Sequence, residues 1–136
     1  MILDNHHILL VDDDDVTNFL SREMFRLSYP DMVINTTLNG REAIDFLLQA
    51  LSEAGGLPQI ILLDINMPVM DGWDFLDKFN DLVKQYPVLD RIRVFVFTSS
   101  VYQEDLKKAM TYPLVKKAFS KPLNDQQIRE MVNYCS

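Results

Sequence analysis

Cysteine is almost missing from this chain. Cys135, beside the C-terminus, is the only one in 136 residues, so no internal disulfide forms. A chain of this length buries a core without one, and Cys135 reads as a buried or half-buried helix residue. Glycine is scarce too, at four residues, and no Gly-rich turn follows the first apolar run, Ile8–Val11. That counts against a flavin or dinucleotide site. The same run is too short for a secretory leader and ends in four aspartates, Asp12–Asp15, a pattern foreign to such leaders. The remaining apolar runs are only a few residues long, far below a membrane span. Cations are outnumbered: 13 Lys and Arg against 20 Asp and Glu leave a net charge of −7. Neither nucleic acid nor an anionic membrane is expected as the main partner, and a cytoplasmic location follows as the default. There is no internal repeat, low-complexity tract or linker.

What is present is alternation. Short apolar runs exchange with amphipathic stretches five times, the pattern of a parallel sheet with helices on both faces. Strands are expected at about His7–Val11, Met32–Thr37, Gln59–Leu63, Arg93–Phe97 and Lys116–Ser120. The third and fourth, Ile60–Leu63 and Val94–Phe97, are apolar on both faces and belong in the middle of the sheet. His6 and His7 precede or open the first strand as exposed or edge residues. Helical stripes run through Val16, Leu20, Met24 and Leu27, then Ala43, Leu47, Leu48 and Leu51. Phe75, Phe79, Leu82 and Val83 form a third, and Ile128, Met131, Val132 and Cys135 a last. Helix starts carry acceptors for free backbone N–H groups: Asp14, Asn39 with Glu42, Asp71 with Asp74, Ser100 with Gln103, Asn124 with Gln127. Trp73 reads as helix packing.

Three separated stretches end predicted strands: Val11-Asp12-Asp13, Asp64 through Gly72, and Lys121-Pro122. Ligands of an open parallel sheet bind beyond the carboxyl ends of its strands, where the strand order reverses. Asp12, Asp13, Asp64, Thr98 and Lys121 all fall there. Helix capping explains one such aspartate, Asp14, but not the whole set. Gathered acids raise each other's pKa. A hard divalent cation such as Mg²⁺ relieves that repulsion, and a neighbouring lysine suits a phosphoryl group. The arrangement predicts an aspartate that accepts phosphate.

From Ile8 to about Leu123 the chain resembles the receiver domain of two-component response regulators. The most specific piece is Asp64-x-x-Met-Pro-x-Met-Asp-Gly72. The resemblance implies a flavodoxin-like (CheY-like), doubly wound α/β fold, with a five-stranded parallel sheet in order 2-1-3-4-5 flanked by five helices. Residues 1–136 would form a single receiver domain with no output domain. It further implies that Asp64 is phosphorylated by a sensor histidine kinase or a histidine phosphotransfer domain, with Mg²⁺ as cofactor. Asp12 and Asp13 match the acidic pair that holds the metal, and Asn66 the position whose backbone carbonyl completes its site. Thr98 matches the hydroxyl that bonds the phosphoryl group, and Lys121 the residue that pairs with its oxygens. By the same resemblance the Lys121–Pro122 bond is expected to be cis. Asn66 and Ser100 match positions that flank the phosphoryl group and tune its hydrolysis. The protein would be no enzyme beyond self-catalysed phosphotransfer and dephosphorylation, and its phosphorelay signal would leave by protein contact. The expected exit is the face of the fourth helix, fifth strand and fifth helix, where Lys107, Lys108, Lys116 and Lys117 cluster. A solvated rim is the plainer reading of those lysines.

One position departs from the family. Many receivers carry Tyr or Phe three residues before the lysine, where its rotamer couples to the threonine; here stands Ala118. Phe119 does not simply substitute for it, because neighbouring strand residues point to opposite faces; Tyr102 or Tyr112 is the candidate to contribute instead. Two other readings compete. Asp12-Asp13-Asp14-Asp15-Val16 also fits the nucleophile motif of haloacid-dehalogenase-type phosphatases, with Asp12 as nucleophile, but it leaves Asp64–Gly72 unexplained and finds no acidic motif after Lys121. A receiver-fold binding module that never takes phosphate is the other, and the complete set of acids, threonine and lysine argues against it.

Overall fold

The computed structural model describes residues 7–53, 56–99 and 103–135. In chain order these form β1 (His7–Val11), α1 (Asp15–Ser28), β2 (Val33–Thr37), α2 (Gly40–Ala50), β3 (Ile60–Leu63) and α3 (Gly72–Gln85). A 3₁₀ turn at Pro87–Arg91 leads into β4 (Arg93–Thr98), α4 (Gln103–Ala109), β5 (Val115–Ser120) and α5 (Asp125–Tyr134). All strand pairs are parallel and the order is β2-β1-β3-β4-β5, as the family resemblance implies. Strand ends agree with the expected ranges to within one residue.

Alternation within each strand builds two cores. Leu9, Val11, Ile61, Leu63, Val94 and Val96 face Ala43, Leu47, Phe75, Phe79 and Ala109, so α2, α3 and α4 cover that side. Ile8, Leu10, Ile60, Leu62, Phe95 and Phe97 face Phe25, Ile128 and Met131 of α1 and α5. Each fully buried large apolar side chain contributes about 1.5–3 kcal/mol, so both layers stabilise the sheet. Helix starts follow the expected capping: Asp14 accepts from Val16 N–H, Asn39 from Glu42, Asp71 from Asp74, and Asn124 with Gln127 completes a reciprocal box. His6 and Ser100 lie outside the described residues.

The expected stripe of α1 is corrected. Val16, Leu20 and Leu27 are 65%, 50% and 79% exposed, and Met24 is only partly buried. The inward face is Asn18, Ser21 and Phe25. Its polarity has a cause: the Asn18 amide donates to the Asp12 carbonyl at 2.9 Å, so the helix brings a hydrogen-bond donor to the sheet end. On α2, Leu48 also faces outward, and Ile44 and Ala50 take its place inside. His7 is not an exposed edge residue. Its ring packs edge-on against Phe46, its Nε2 is buried without a protein partner, and burial lowers its pKa below the ordinary 6.5.

Candidate functional site

Backbone pairing continues one residue past the strands and sets the site. Asp12 N–H donates to Thr37 at 3.0 Å, Asp64 N–H to Val11 at 2.9 Å, and Lys121 N–H to Thr98 at 2.9 Å. These bonds leave Asp12, Asp64 and Lys121 side by side at the carboxyl edge. Thr98, fully buried, ends β4 between them, paired with Ser120. The Lys121–Pro122 bond is cis, as expected.

Side chains converge accordingly. Carboxylate oxygens of Asp12, Asp13 and Asp64 lie within 4.8 Å of one another. Asp12 and Asp64 are buried and Asp13 is exposed. Lys121 Nζ stands 2.6 Å from Asp12 Oδ2 and 3.6 Å from Asp64 Oδ2, above the Phe97 ring at 5.7 Å. Asp12 Oδ1 accepts from Asp14 N–H at 2.9 Å, and Asp64 Oδ1 from Ile65 N–H at 2.8 Å. Burial pushes the Asp64 carboxyl up to about 6, against the pull of Lys121 and with a further push from Asp12. Asn66 is exposed, and its backbone N–H favours ionised Asp64.

The donor set suits a divalent metal ion: three carboxylates offer hard oxygens at close range, and a raised Asp64 pKa is the repulsion and desolvation that a cation relieves. Asp12, Asp13 and Asp64 would hold it.

The loop from Asp64 to Gly72 is held tightly. A Cβ on Gly72 would stand 2.6 Å from the Asp64 carbonyl oxygen and 2.7 Å from Ile65 Cα, so only glycine lets α3 start this near the carboxylate. Gly72 N–H donates to Ile65 at 2.8 Å. On the far side Gly40 N–H donates to the Met70 carbonyl at 2.8 Å, and a Cβ at Gly40 would meet the Met70 side chain at 2.8 Å. Between these anchors Met70 N–H bonds to the Pro68 carbonyl at 2.8 Å around Val69, whose φ is 68°. A β-branched residue in that region is strained, yet Val69 is 84% exposed.

Sequence reasoning finds Asp12, Asp13, Asp64, Thr98 and Lys121, and the fold brings all five to one edge. It misses Asn18 and Val69. Asn18 is four residues past the Asp14 cap, where a polar residue inside an apolar period was the available signal. For Val69 the sequence carries no signal, since its φ comes from the two anchors.

A 2-1-3-4-5 sheet whose carboxyl edge gathers three aspartates and a lysine defines the phosphate-accepting class of signalling domains. The chain matches the response regulator receiver domain over residues 8–133 and belongs to that family, one of signalling proteins rather than ordinary enzymes. It is 36% identical over 100 residues to response regulator Rcp1 of Synechocystis, spanning 73% of this chain and 65% of Rcp1. It is 33% identical to the probable methanogenesis regulatory protein FilR2 of Methanothrix harundinacea, over 92% of this chain and 77% of FilR2. A two-component response regulator from Cytophaga hutchinsonii superposes with a TM-score of 0.83 at 32% identity, covering 97% of both chains. The Mn²⁺-bound form of Rcp1 does so with 0.71 at 32% identity, covering 95% of this chain and 90% of that one. No described helix is long and apolar enough to cross a membrane.

Proposed function

We propose that Asp64 is the phosphoacceptor of this receiver, that the reaction depends on Mg²⁺, and that a phosphohistidine protein is the donor. One observation carries this reading: Asp64, buried at the mouth of the sheet, faces the Lys121 ammonium at 3.6 Å within the acid trio. In the transfer an Asp64 oxygen forms the new P–O bond, the P–N bond breaks, and the imidazole leaves with the electron pair. Asp12, Asp13, Asp64 and the Asn66 carbonyl would hold Mg²⁺, whose charge, when bound, would neutralise phosphoryl oxygens. Lys121, a point charge on a flexible stem, follows the same oxygens, and the Thr98 hydroxyl donates to one of them. Slow loss of the phosphate is then self-catalysed.

The exposed face of α1 supports a protein donor. Val16, Phe19 and Leu20 begin immediately after the acidic loop, and Phe19 is 61% exposed. Apolar surface beside a reactive group suits a contact site, and its continuity with the pocket supports the phosphodonor as occupant. The signal leaves through the face of α4, β5 and α5 toward a downstream protein. Of the lysines there, Lys117 pairs with Glu130, so Lys107, Lys108 and Lys116 carry the basic character, Lys108 from above the Trp73 ring.

With Asp12 as nucleophile instead, a phosphatase reading gives the Asp64–Gly72 loop no role, and the Lys121 ammonium is fastened to Asp12 Oδ2 at 2.6 Å. Incubation with acetyl phosphate and Mg²⁺, followed by intact mass, tests the proposal. One added phosphoryl group, lost in Asp64→Asn and kept in Asp12→Asn under forcing conditions, supports it. No gain under any condition indicates a silent binding module.

A further inference from the structure

With Ala118 at the place where many receivers carry an aromatic, something else must relate α4 to the phosphorylation site. The α4 helix is poorly anchored: of its residues only Ala109 is fully buried. Beside it stands Trp73, the only tryptophan of the chain and the second residue of α3. Its ring is stacked on Tyr112 at a centroid distance of 5.9 Å and an interplanar angle of 17°. Lys108 Nζ lies 4.4 Å from the Trp73 ring centroid.

Lys108 is in the last turn of α4, and Tyr112 is in the connection to β5, where its carbonyl accepts from Val115 N–H at 3.0 Å. Burial raises the Tyr112 pKa, and Asp77 of α3 raises it further, so the phenol also faces α3. At its other end Trp73 is bonded to Gly72, which is pressed against the Asp64 and Ile65 backbone. The first turn of α3 is therefore set against the acceptor loop, and the Trp73 indole joins that turn to the last turn of α4 and to the segment that follows it. Stacking and cation–π contacts of this kind are specific in geometry.

We propose that the Trp73–Tyr112–Lys108 stack is the tether that holds α4 on α3 and passes the state of Asp64 to α4, in place of an aromatic at position 118. The relay to α4 rests on Asp64 being the phosphoacceptor; the tether itself is readable without phosphate.

Hydrogen exchange of the α4 amides, measured with and without Mg²⁺ and beryllofluoride, tests it in the wild type, Trp73→Ala and Lys108→Ala. In Trp73→Ala, α4 exchanges about tenfold faster without the mimic, and the mimic no longer alters it; Lys108→Ala shifts both in the same direction by less. In the wild type, the mimic changes both α4 exchange and Trp73 emission. Should Trp73→Ala not fold, Lys108→Ala and Trp73→Phe carry the test, with faster α4 exchange expected in each. Wild-type α4 exchange in the variants, or an undiminished response to the mimic, overturns the tether. Intact mass after acetyl phosphate separates the two claims. A wild type that takes no phosphoryl group sinks the assignment of Asp64 and the relay with it. Uptake with an unresponsive α4 sinks the relay alone.

Discussion

The Lys121 ammonium sits 2.6 Å from Asp12 Oδ2, a full charge-assisted hydrogen bond, and 3.6 Å from Asp64 Oδ2. The lysine is thus fastened to a proposed metal ligand rather than to the proposed nucleophile. A divalent cation held by Asp12 would compete with Lys121 for that carboxylate, and the flexible stem lets the lysine turn toward an incoming phosphoryl group. Lys121→Ala should therefore keep or tighten Mg²⁺ binding, while phosphoryl uptake falls roughly 10²-fold, the usual loss for one electrostatic donor. Calorimetric titration beside an uptake time course checks this. Loss of Mg²⁺ affinity in Lys121→Ala would mean that the roles are divided differently.

Asp64 carries a pH signature. Its carboxyl is raised from 3.8 to about 6 on folding, so ionising it opposes folding. That cost is absent below about 3.8 and fully present above about 6, and stability contributed by this group is lost as pH rises through that window. In EDTA at pH 7, Asp64→Asn should melt several degrees higher than the wild type, at about 4 °C for each kcal/mol relieved. At pH 3.5 the difference should vanish. Mg²⁺ should raise the wild-type midpoint and leave the variant nearly unmoved. An equal Mg²⁺ shift in both would remove Asp64 from the metal site.

The two faces of α1 predict opposite behaviour. Phe25 is fully buried, and Phe25→Ala should cost about 3–5 kcal/mol in denaturant unfolding. Phe19 is mostly exposed, so Phe19→Asp should change stability by no more than about 0.5 kcal/mol. The same change should slow phosphotransfer from a cognate kinase roughly tenfold or more, as expected for an anchor in a contact surface, and leave uptake from acetyl phosphate untouched. Equal effects on both donors would place Phe19 in the pocket rather than on a docking face.

Gly72 tests how tightly α3 is set against the acceptor. The Cβ of Gly72→Ala would fall 2.6 Å from the Asp64 carbonyl, and backbone cannot yield cheaply there. A destabilisation of about 1–3 kcal/mol is expected, with slower phosphoryl uptake because the carboxylate shifts with its backbone. A variant of wild-type stability would show that the loop relaxes freely.

Strands were legible because Ile60–Leu63 and Val94–Phe97 are apolar on both faces, which only a central strand of a covered sheet permits. The site was legible because each chemical residue directly follows such a run. The α1 face was not. Val16, Leu20 and Leu27 keep a helical period as good as that of a core stripe, while the inward face contains Asn18 and Ser21. Periodicity locates an apolar stripe but not the surface it meets, and here one stripe is left for solvent or a partner. Tyr112 is a candidate from sequence, but its pairing with Trp73 and Lys108 was hidden, because it joins residues more than thirty positions apart in sequence. Local pattern carries no trace of such a pairing.

The most direct measurement is the location of the phosphoryl group itself. After reaction with a phosphodonor and Mg²⁺, borohydride reduction of the acyl phosphate and peptide mass spectrometry mark the modified aspartate. The account predicts a single mark at Asp64, absent when Mg²⁺ is chelated. A mark at Asp12, or none in protein shown to be folded, would contradict it.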